Sequence, residues 1–432
     1  MNRPTGPRWR LRWLLTAHTV SATGNTATLI ALPLYVYATT GSPALLGVLG
    51  AAAVAPVVVG GVFGGVLVDR FGYRRTSVVS DAVGAVTIGA VPLLAATTGL
   101  PFAVLIALVV ATGLLDTPGQ AARHAMLPEL ADEAGVPLER ATGWMDAAER
   151  AARLLGAPAA GGLVAAVGAP VVLVLDAATF VVAAVLVAVT VPALARATTA
   201  GATEEAGGWR GYRRDLAEGL VFVRRDRLLR AIVAMIVLTN AFDAAWSSVV
   251  LPLHAARSLG GGGALGLLVG VFGAGAVVGA VVFGAVGARF SRRSVFAVAF
   301  LLAGAPRFLV LAAQPSLAVL LVVLGLAGVA AGALNPILGA AQLERVPAAA
   351  RARVAGVVGA GAWAGMPLGT LAAGLWLDRG SLTTLLLVLG GAYLLVTLLP
   401  FVAPAWRELD RPGDDRGSGA PERSLPADGG PR

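Results

Sequence analysis

The feature that most constrains this chain is the length of its uncharged stretches. From Trp13 to Val68 it contains no Asp, Glu, Lys or Arg, and a helix needs only about 20 apolar residues to cross the hydrocarbon core of a bilayer. Similar apolar stretches recur almost to the C-terminus. Only 13% of all residues are charged, about half the share found in soluble domains. The sequence therefore predicts an all-α protein that spans a membrane many times.

Charge clusters and Gly/Pro-rich turns divide the chain into twelve predicted spans. Spans 1 to 12 cover 13–39, 43–68, 76–98, 100–122, 141–167, 169–191, 228–254, 264–288, 294–313, 315–341, 354–377 and 382–403. Arginines mark the loops after spans 2, 6, 8 and 10, whereas the opposite loops hold only Arg257 and Arg379. Because positively charged loops stay in the cytoplasm, both termini and the central loop are predicted to be cytoplasmic.

The predicted organisation is two six-helix halves joined by a linker. A surface helix is expected in the linker, because Trp209, Tyr212, Leu216 and Leu220 recur at helical spacing within an arginine-rich segment. The predicted units are an N-terminal half (1–191), a cytoplasmic linker (192–227), a C-terminal half (228–405) and a disordered cytoplasmic tail (406–432).

An offset of 219 residues relates the two halves. Matches that fall at six-helix spacing and include Pro and Trp indicate two halves of the same membrane orientation, related by an axis along the membrane normal. The matching pairs are Leu32-Pro33-Leu34 with Leu251-Pro252-Leu253, Leu46-Gly47 with Leu265-Gly266, Arg70-Phe71 with Arg289-Phe290, Pro128 with Pro347, and Trp144 with Trp363.

Polar residues inside the apolar spans mark a candidate substrate path. Polar groups in hydrocarbon are costly unless they face the interior of the helix bundle or a wet cavity, so spans 1, 4, 7 and 10 are predicted to line this path. Its candidate residues are Ser21, Asn25, Thr28, Asp116, Gln120, Asn240, Asp243, Trp246, Ser247 and Asn335.

Several function classes lack the residues that they need. The chain has no cysteine, and since it also has no lysine it contains no GxxxxGK[ST] phosphate-binding loop. HExxH and GxSxG motifs are absent too, so the sequence predicts no enzyme, no metal site and no cofactor. The net charge of +9 sits on arginines of short loops, which membrane orientation explains better than nucleic acid does.

The stretch GVLVDRFGYRR resembles the Gly-x-x-x-Asp-Arg-x-Gly-Arg-Arg signature between helices 2 and 3 of the major facilitator superfamily. Four further stretches resemble the branch of bacterial exporters that includes macrolide efflux and enterobactin export proteins, namely LPLYVYATTGSPALLG, MLPEL, DLAEGLVFVRRDRLLRA and ERVPAAARARVAG. The resemblance implies a transporter of the bacterial inner membrane with twelve helices in two pseudo-symmetric halves. It also implies a conformational latch, which stabilises the outward-facing state. The latch residues are Gly65, Asp69, Arg70, Gly72, Arg74 and Arg75.

A second signature lies in span 5, where GAPAAGG resembles the Gly-Pro-x-x-Gly-Gly motif of antiporters of the superfamily. Its residues are Gly156, Pro158, Gly161 and Gly162, with Ala157 in place of a glycine. Close packing of small residues between helices is an equally good explanation of this stretch.

Two carboxylates are candidates for proton coupling. Asp243 ranks first because it lies near the middle of span 7, although a purely structural Asp is an equal alternative there. Asp116 ranks second, since it lies close enough along the chain to pair with Arg123. Many proton-coupled exporters of the superfamily carry an arginine within helix 4, and none precedes Arg123 at the predicted end of span 4. Proton antiport is therefore implied by the resemblance alone.

The predicted function is secondary active export of a small hydrophobic compound, either a drug or a secreted metabolite. The resemblance implies alternating access with proton antiport, and the chain is expected to act as a monomer. The alternatives are an importer or lipid translocator of the same fold, and a non-transporting membrane scaffold or sensor.

Overall fold

The computed structural model describes residues 8–192, 209–347 and 350–410, and the described chain is helical. The helices of the first half and the linker are α1 (Trp9–Thr40), α2 (Pro43–Phe71), α3 (Tyr73–Thr97), α4 (Phe102–Glu133), α5 (Leu138–Val167), α6 (Ala169–Thr190) and α7 (Trp209–Arg225). Those of the second half are α8 (Arg227–Ala245), a π-helical turn (Trp246–Val250), α9 (Leu251–Ser258), α10 (Gly262–Val286), a 3₁₀ turn (Gly287–Arg289), α11 (Arg292–Ala303), α12 (Ala305–Ala312), α13 (Leu317–Gly332), α14 (Leu334–Arg345), α15 (Arg351–Ala364), α16 (Met366–Arg379), α17 (Leu382–Val402) and a 3₁₀ helix (Pro404–Asp410).

These helices are consistent with the twelve predicted spans. Nine segments of the described chain are long and apolar enough to cross a membrane. Four spans of the second half are interrupted helices, namely span 7 (α8 to α9), span 9 (α11 and α12), span 10 (α13 and α14) and span 11 (α15 and α16).

A proline follows each interruption within a few residues. Proline lacks an N–H group and its ring collides with the carbonyl one turn earlier, so the helix is broken or widened just before it. The four prolines are Pro252, Pro306, Pro336 and Pro367. The sequence patterns predicted the spans but not these breaks.

The two halves meet along two seams, α2 against α16 and α5 against α10. Glycines allow the close approach. A Cβ atom at Gly47 would lie 2.6 Å from the Thr370 carbonyl oxygen, and one at Gly161 would collide with the backbone of Gly262. Gly266 packs on α5 in the same way and is the repeat equivalent of Gly47. The predicted repeat therefore places a glycine in each seam.

The linker helix α7 packs on the second half. Glu218 accepts a hydrogen bond of 2.5 Å from Arg353, and Val223 is buried in a small cluster with residues of α15. Of the predicted apolar face, Leu220 is exposed. The side chains of Trp209, Tyr212 and Leu216 lie outside the described residues.

The predicted start of the disordered tail at residue 406 is corrected by the structure. Trp406 is buried and stacks on Phe296 with ring centroids 5.3 Å apart, and Asp410 accepts a hydrogen bond of 2.9 Å from Ser291. These contacts bind the segment to the inner ends of the second half because it carries an aromatic anchor and an acid. The rest of the tail, 411–432, lies outside the described residues.

Candidate functional site

A cavity of about 500 Å³ lies between the two halves. Helices α1, α2 and α4 of the first half form most of its wall, and α3, α5, the π-helical turn, α9 and α10 contribute fewer side chains. The repeat-related prolines Pro33 and Pro252 both line it. Most of the lining surface is apolar, so the arrangement of its polar side chains determines the specificity of binding.

The polar centre of the cavity is Asp116 on α4. Its carboxylate accepts hydrogen bonds from the amide of Gln120 at 2.7 Å and from the amide of Asn25 on α1 at 3.3 Å. All three residues belong to the predicted substrate path, and the structure brings them together on the cavity wall.

Behind this centre, a buried ion pair joins α3 to α4. Arg123 donates to both carboxylate oxygens of Asp81 at 3.0 and 2.9 Å, and its second terminal nitrogen lies 3.4 Å from the Ser21 hydroxyl. The side chains of Arg123 and Asp81 are 1% and 2% exposed. Ser21 is thus a partner of this pair rather than a cavity-lining residue. His18 lines the cavity beside it, with its ring centroid 5.5 Å from that of His124.

Helix α4 extends beyond its predicted end at residue 122. The prediction that helix 4 contains no arginine is therefore wrong. The helix runs to Glu133, so Arg123 lies inside it. Asp81 neutralises its charge, which is why a charged residue fits within this helix.

The cations of the cavity wall are already paired with acids. Arg123 is bound to Asp81, and Arg153 lies 2.7 Å from Glu149. Among the described lining side chains, Asp116 is the carboxylate held by amide groups instead of a cation. The cavity therefore carries an excess of negative charge at this point.

A second carboxylate of the first half, Asp176 on α6, is almost fully buried. Thr28 of α1 and Thr179 of α6 donate their hydroxyls to it. Thr28, predicted for the substrate path, lines the cavity and also fixes this carboxylate.

In the second half, Asp243 forms an ion pair with Arg307 of α12. Tyr393 lies beside this pair, with its ring centroid 5.8 Å from the Arg307 guanidinium. The Arg307 guanidinium lies 5.3 Å from the ring centroid of Trp246 and 5.2 Å from that of Phe308, and Trp246 is buried. The Asp243 side chain is 38% exposed, so its carboxylate is more accessible than that of Asp81, whose side chain is 2% exposed.

The other predicted path residues of the second half are dispersed. Ser247 lines the cavity. Asn240 donates to the carbonyl of Ala362 on α15 at 2.9 Å, which makes it a link between helices. Asn335 is exposed at the start of α14, outside the cavity lining.

The side chains of three predicted latch residues, Gly65, Asp69 and Arg70, lie outside the described residues. Gly72 has φ of 81° and separates α2 from α3, a conformation that suits glycine. Arg74 donates to the carbonyl of Ala188 at the end of α6, and Arg75 is exposed.

The glycine-rich stretch of span 5 lies at the α5–α10 seam. The ring of Pro158 packs against Gly270, and Gly161 contacts Gly262 and Gly266. Gly156 and Gly162 lie away from α10: Gly156 approaches Thr26 of α1, and Gly162 has open space around it.

The cavity is closed on the arginine-poor side. Arg257 donates to the Tyr37 hydroxyl at 2.5 Å, and Ser42 lies 3.4 Å from Asp378 across the seam between α2 and α16. Towards the opposite side the lining reaches Arg153, whose side chain is 72% exposed. The cavity is therefore accessible from the arginine-rich side.

Sequence reasoning gave no site role to Asp81 or Tyr393, and it considered Arg123 as a partner of Asp116, whereas the structure pairs Arg123 with Asp81. The signal for Asp81 was an acid among Thr76, Ser77 and Ser80 in an otherwise apolar span. A carboxylate at that depth requires a partner, but nothing in the sequence indicates which of the many arginines supplies it.

Comparisons with known proteins place this architecture among transporters. A family model described as Major Facilitator Superfamily matches residues 14–245 and 233–429. The chain is 31% identical over 407 residues to the multidrug efflux pump Tap of Mycobacterium tuberculosis, with 92% of this chain and 94% of the relative covered. It is 28% identical over 412 residues to the pump of the same name from Mycolicibacterium fortuitum, with 95% and 98% covered.

Two solved structures share the fold at 14% sequence identity. The nucleoside transporter NupG superposes with a TM-score of 0.69, covering 91% of this chain and 98% of that one. A POT family transporter in complex with a thioalcohol-conjugated peptide gives a TM-score of 0.71, covering 91% of this chain and 95% of that one.

Proposed function

This chain belongs to the Major Facilitator Superfamily and is a multi-pass membrane transporter, and on that premise we propose that it exports small, largely apolar compounds by proton antiport. The kinship with two multidrug efflux pumps supports export. The largely apolar cavity of about 500 Å³ supports a hydrophobic substrate.

The observation that carries the proposal is the environment of Asp116. Its carboxylate lies on the cavity wall between two amide donors, while the arginines that line the cavity are held by other acids. A proton and a positively charged group of a substrate would compete for this carboxylate. Such competition is what an antiporter requires, because each ligand must leave before the other binds.

Asp243 is the second candidate for coupling. Its side chain is partly exposed, but Arg307 already compensates its charge, so protonation would first have to break an ion pair. We therefore place Asp116 ahead of Asp243, which reverses the order that the sequence suggested.

The closed arginine-poor side and the accessible arginine-rich side correspond to one end of an alternating-access cycle. If the arginine-rich loops face the cytoplasm, as the positive-inside rule indicates, this is the inward-facing state, with both termini in the cytoplasm of a bacterial cell. In the opposite state the latch residues Asp69, Arg70 and Arg74 would hold the inner ends together. One chain contains both halves and the whole cavity, so a monomer suffices.

The test is export of hydrophobic dyes and macrolides from cells that lack their own pumps. Wild type, Asp116→Asn and Asp243→Asn are compared with and without a proton uncoupler, and export is normalised to folded protein. We expect Asp116→Asn to lower uncoupler-sensitive export at least tenfold. The matched control is Asp146→Asn, which removes an exposed carboxylate of α5 outside the cavity lining and should leave export unchanged.

The remaining outcomes separate the alternatives. Export that survives both the uncoupler and Asp116→Asn would overturn proton coupling at this site. Accumulation instead of export would indicate an importer, and movement of labelled phospholipid between leaflets would indicate a lipid translocator. A wild-type protein that moves none of these compounds would favour a scaffold or sensor.

A further inference from the structure

A second groove, of about 420 Å³, lies outside the transport cavity at the arginine-rich end of α3. Side chains of α3 form most of it, and Phe71 of α2, Leu115 of α4 and Ala188 of α6 complete its lining. Its surface is almost entirely apolar, and the polar residues of its lining are Arg74, Arg75, Thr76 and Ser80. It therefore resembles a slot for a hydrocarbon chain more than a site for a soluble ligand.

The groove opens towards the bilayer. Val79, which lines it, belongs to a stripe on α3 with Val86 and Leu93, all spaced seven residues apart and all more than half exposed. Large apolar side chains exposed at this spacing form one face of a helix, and in a membrane-spanning helix that face contacts lipid.

Positive charge is concentrated at the mouth of the groove. Arg74 and Arg75 lie in the first turn of α3, and this turn contains no acid. The Arg74 guanidinium donates a hydrogen bond to the Ala188 carbonyl on α6, whereas Arg75 is exposed. The two arginines therefore place positive charge at the predicted membrane surface.

We propose that this groove binds an anionic phospholipid of the arginine-rich leaflet. The phosphate would lie against Arg75 and the start of α3, and one acyl chain would follow the groove past Val79 and Leu115. An acyl chain alone would leave the arginines without an anion, and a free phosphate would leave the apolar slot empty. A phospholipid satisfies both features.

The experiment is native mass spectrometry of the purified full-length protein titrated with phosphatidylglycerol or with phosphatidylcholine of the same acyl chains. Arg75→Gln should weaken binding of the first phosphatidylglycerol roughly fivefold, the effect of one arginine near an anionic surface. Val79→Trp, which fills the groove, should weaken it as well. The matched controls are Arg289→Gln, an exposed arginine away from the groove, and Val86→Trp, which lies seven residues after Val79 on the same exposed stripe and outside the groove lining.

Preference for phosphatidylglycerol that both test variants lower and both controls leave intact would support the proposal. Equal losses with Arg289→Gln would show general attraction to positive charge and would overturn it. Equal binding of the two lipids would overturn the role of the arginines. Displacement by inorganic phosphate at millimolar concentration would assign the mouth to a free anion instead.

Discussion

Spans 3 and 6 of the first half and spans 9 and 12 of the second half pack in a similar way, yet the carboxylate beside each pair of spans is held differently. In the first half, Gly84 packs against Phe180, and in the second Gly304 packs against Tyr393. Asp176 in the first half is held by threonine hydroxyls, whereas Asp243 in the second is held by Arg307.

The same difference extends to the cavity. The carboxylate of Asp116 on its wall belongs to the first half and is hydrogen-bonded by neutral amides, while Ser247 and Ser248 are the polar side chains from the second half among the described lining. The repeat therefore determines where helices and close contacts lie, but it does not determine the chemistry. The second half satisfies its buried charge internally, and the first half leaves one acid available to a ligand.

The largest expected effect comes from breaking either of two ion pairs, the buried Asp81–Arg123 pair or the partly exposed Asp243–Arg307 pair. Asp243→Asn leaves the Arg307 guanidinium without its acid, and Asp81→Asn does the same to Arg123. Removing one partner of a buried pair costs about 3–5 kcal/mol. We expect both variants to lose thermal stability in detergent, measured from the fluorescence of the tryptophans, with the larger loss for Asp81→Asn because its side chain is 2% exposed against 38% for Asp243.

The double variant Asp243→Asn with Arg307→Met is the control, since it removes the uncompensated charge as well as the pair. It should recover most of the loss. A double variant as unstable as the single one would show that Asp243 contributes through something other than this pair.

The next effect concerns the two seams between the halves. Substitutions of the repeat-related glycines in the two seams should have equal effects. Gly47→Ala and Gly266→Ala each place a Cβ atom against backbone of the opposite half, and overpacking of this kind costs about 1–3 kcal/mol. We expect both to disfavour closure of the arginine-poor side. The chain has no cysteine, so the rate of disulfide formation between Ser42→Cys and Asp378→Cys reports this closure without background.

Gly162→Ala is the matched control, because no atom lies within 4 Å of its added Cβ. A slower cross-link in only one of the two seam variants would contradict the symmetry of the interface. An equal slowing in the control would point to an effect on helix stability instead.

The sequence predicted the fold better than the site, and particular residues show why. Spans follow from apolar length, and the repeat correctly paired Pro33 with Pro252 and Gly47 with Gly266, because close packing depends on side-chain size. Ion pairs depend on which helices become neighbours. Asp243 aligns with Gly24 and its partner Arg307 with Ile88, so no offset in the sequence reveals that they meet.

The third effect tests whether the cavity acid is functional rather than structural. Asp116→Asn keeps the size of the side chain and its hydrogen-bonding positions but removes its charge. Since no cation depends on Asp116 among its described partners, we expect unfolding stability to change by less than about 1 kcal/mol, with at least a tenfold loss of uncoupler-sensitive export. Stability loss comparable to that of Asp81→Asn would make Asp116 a structural residue.

The smallest effect distinguishes the two ways of holding a carboxylate. Thr28→Val removes one of the two hydroxyls that donate to Asp176, and Tyr393→Phe removes the hydroxyl of the ring that lies beside the Asp243–Arg307 pair. A lost hydrogen bond costs about 1 kcal/mol, but Asp243 keeps Arg307, whereas Asp176 keeps only Thr179 among its described partners. Thr28→Val should therefore lower the thermal midpoint more than Tyr393→Phe does. The reverse order would mean that the Tyr393 hydroxyl positions Arg307 as well as Asp243, and that the second half depends on a connected network rather than on one ion pair.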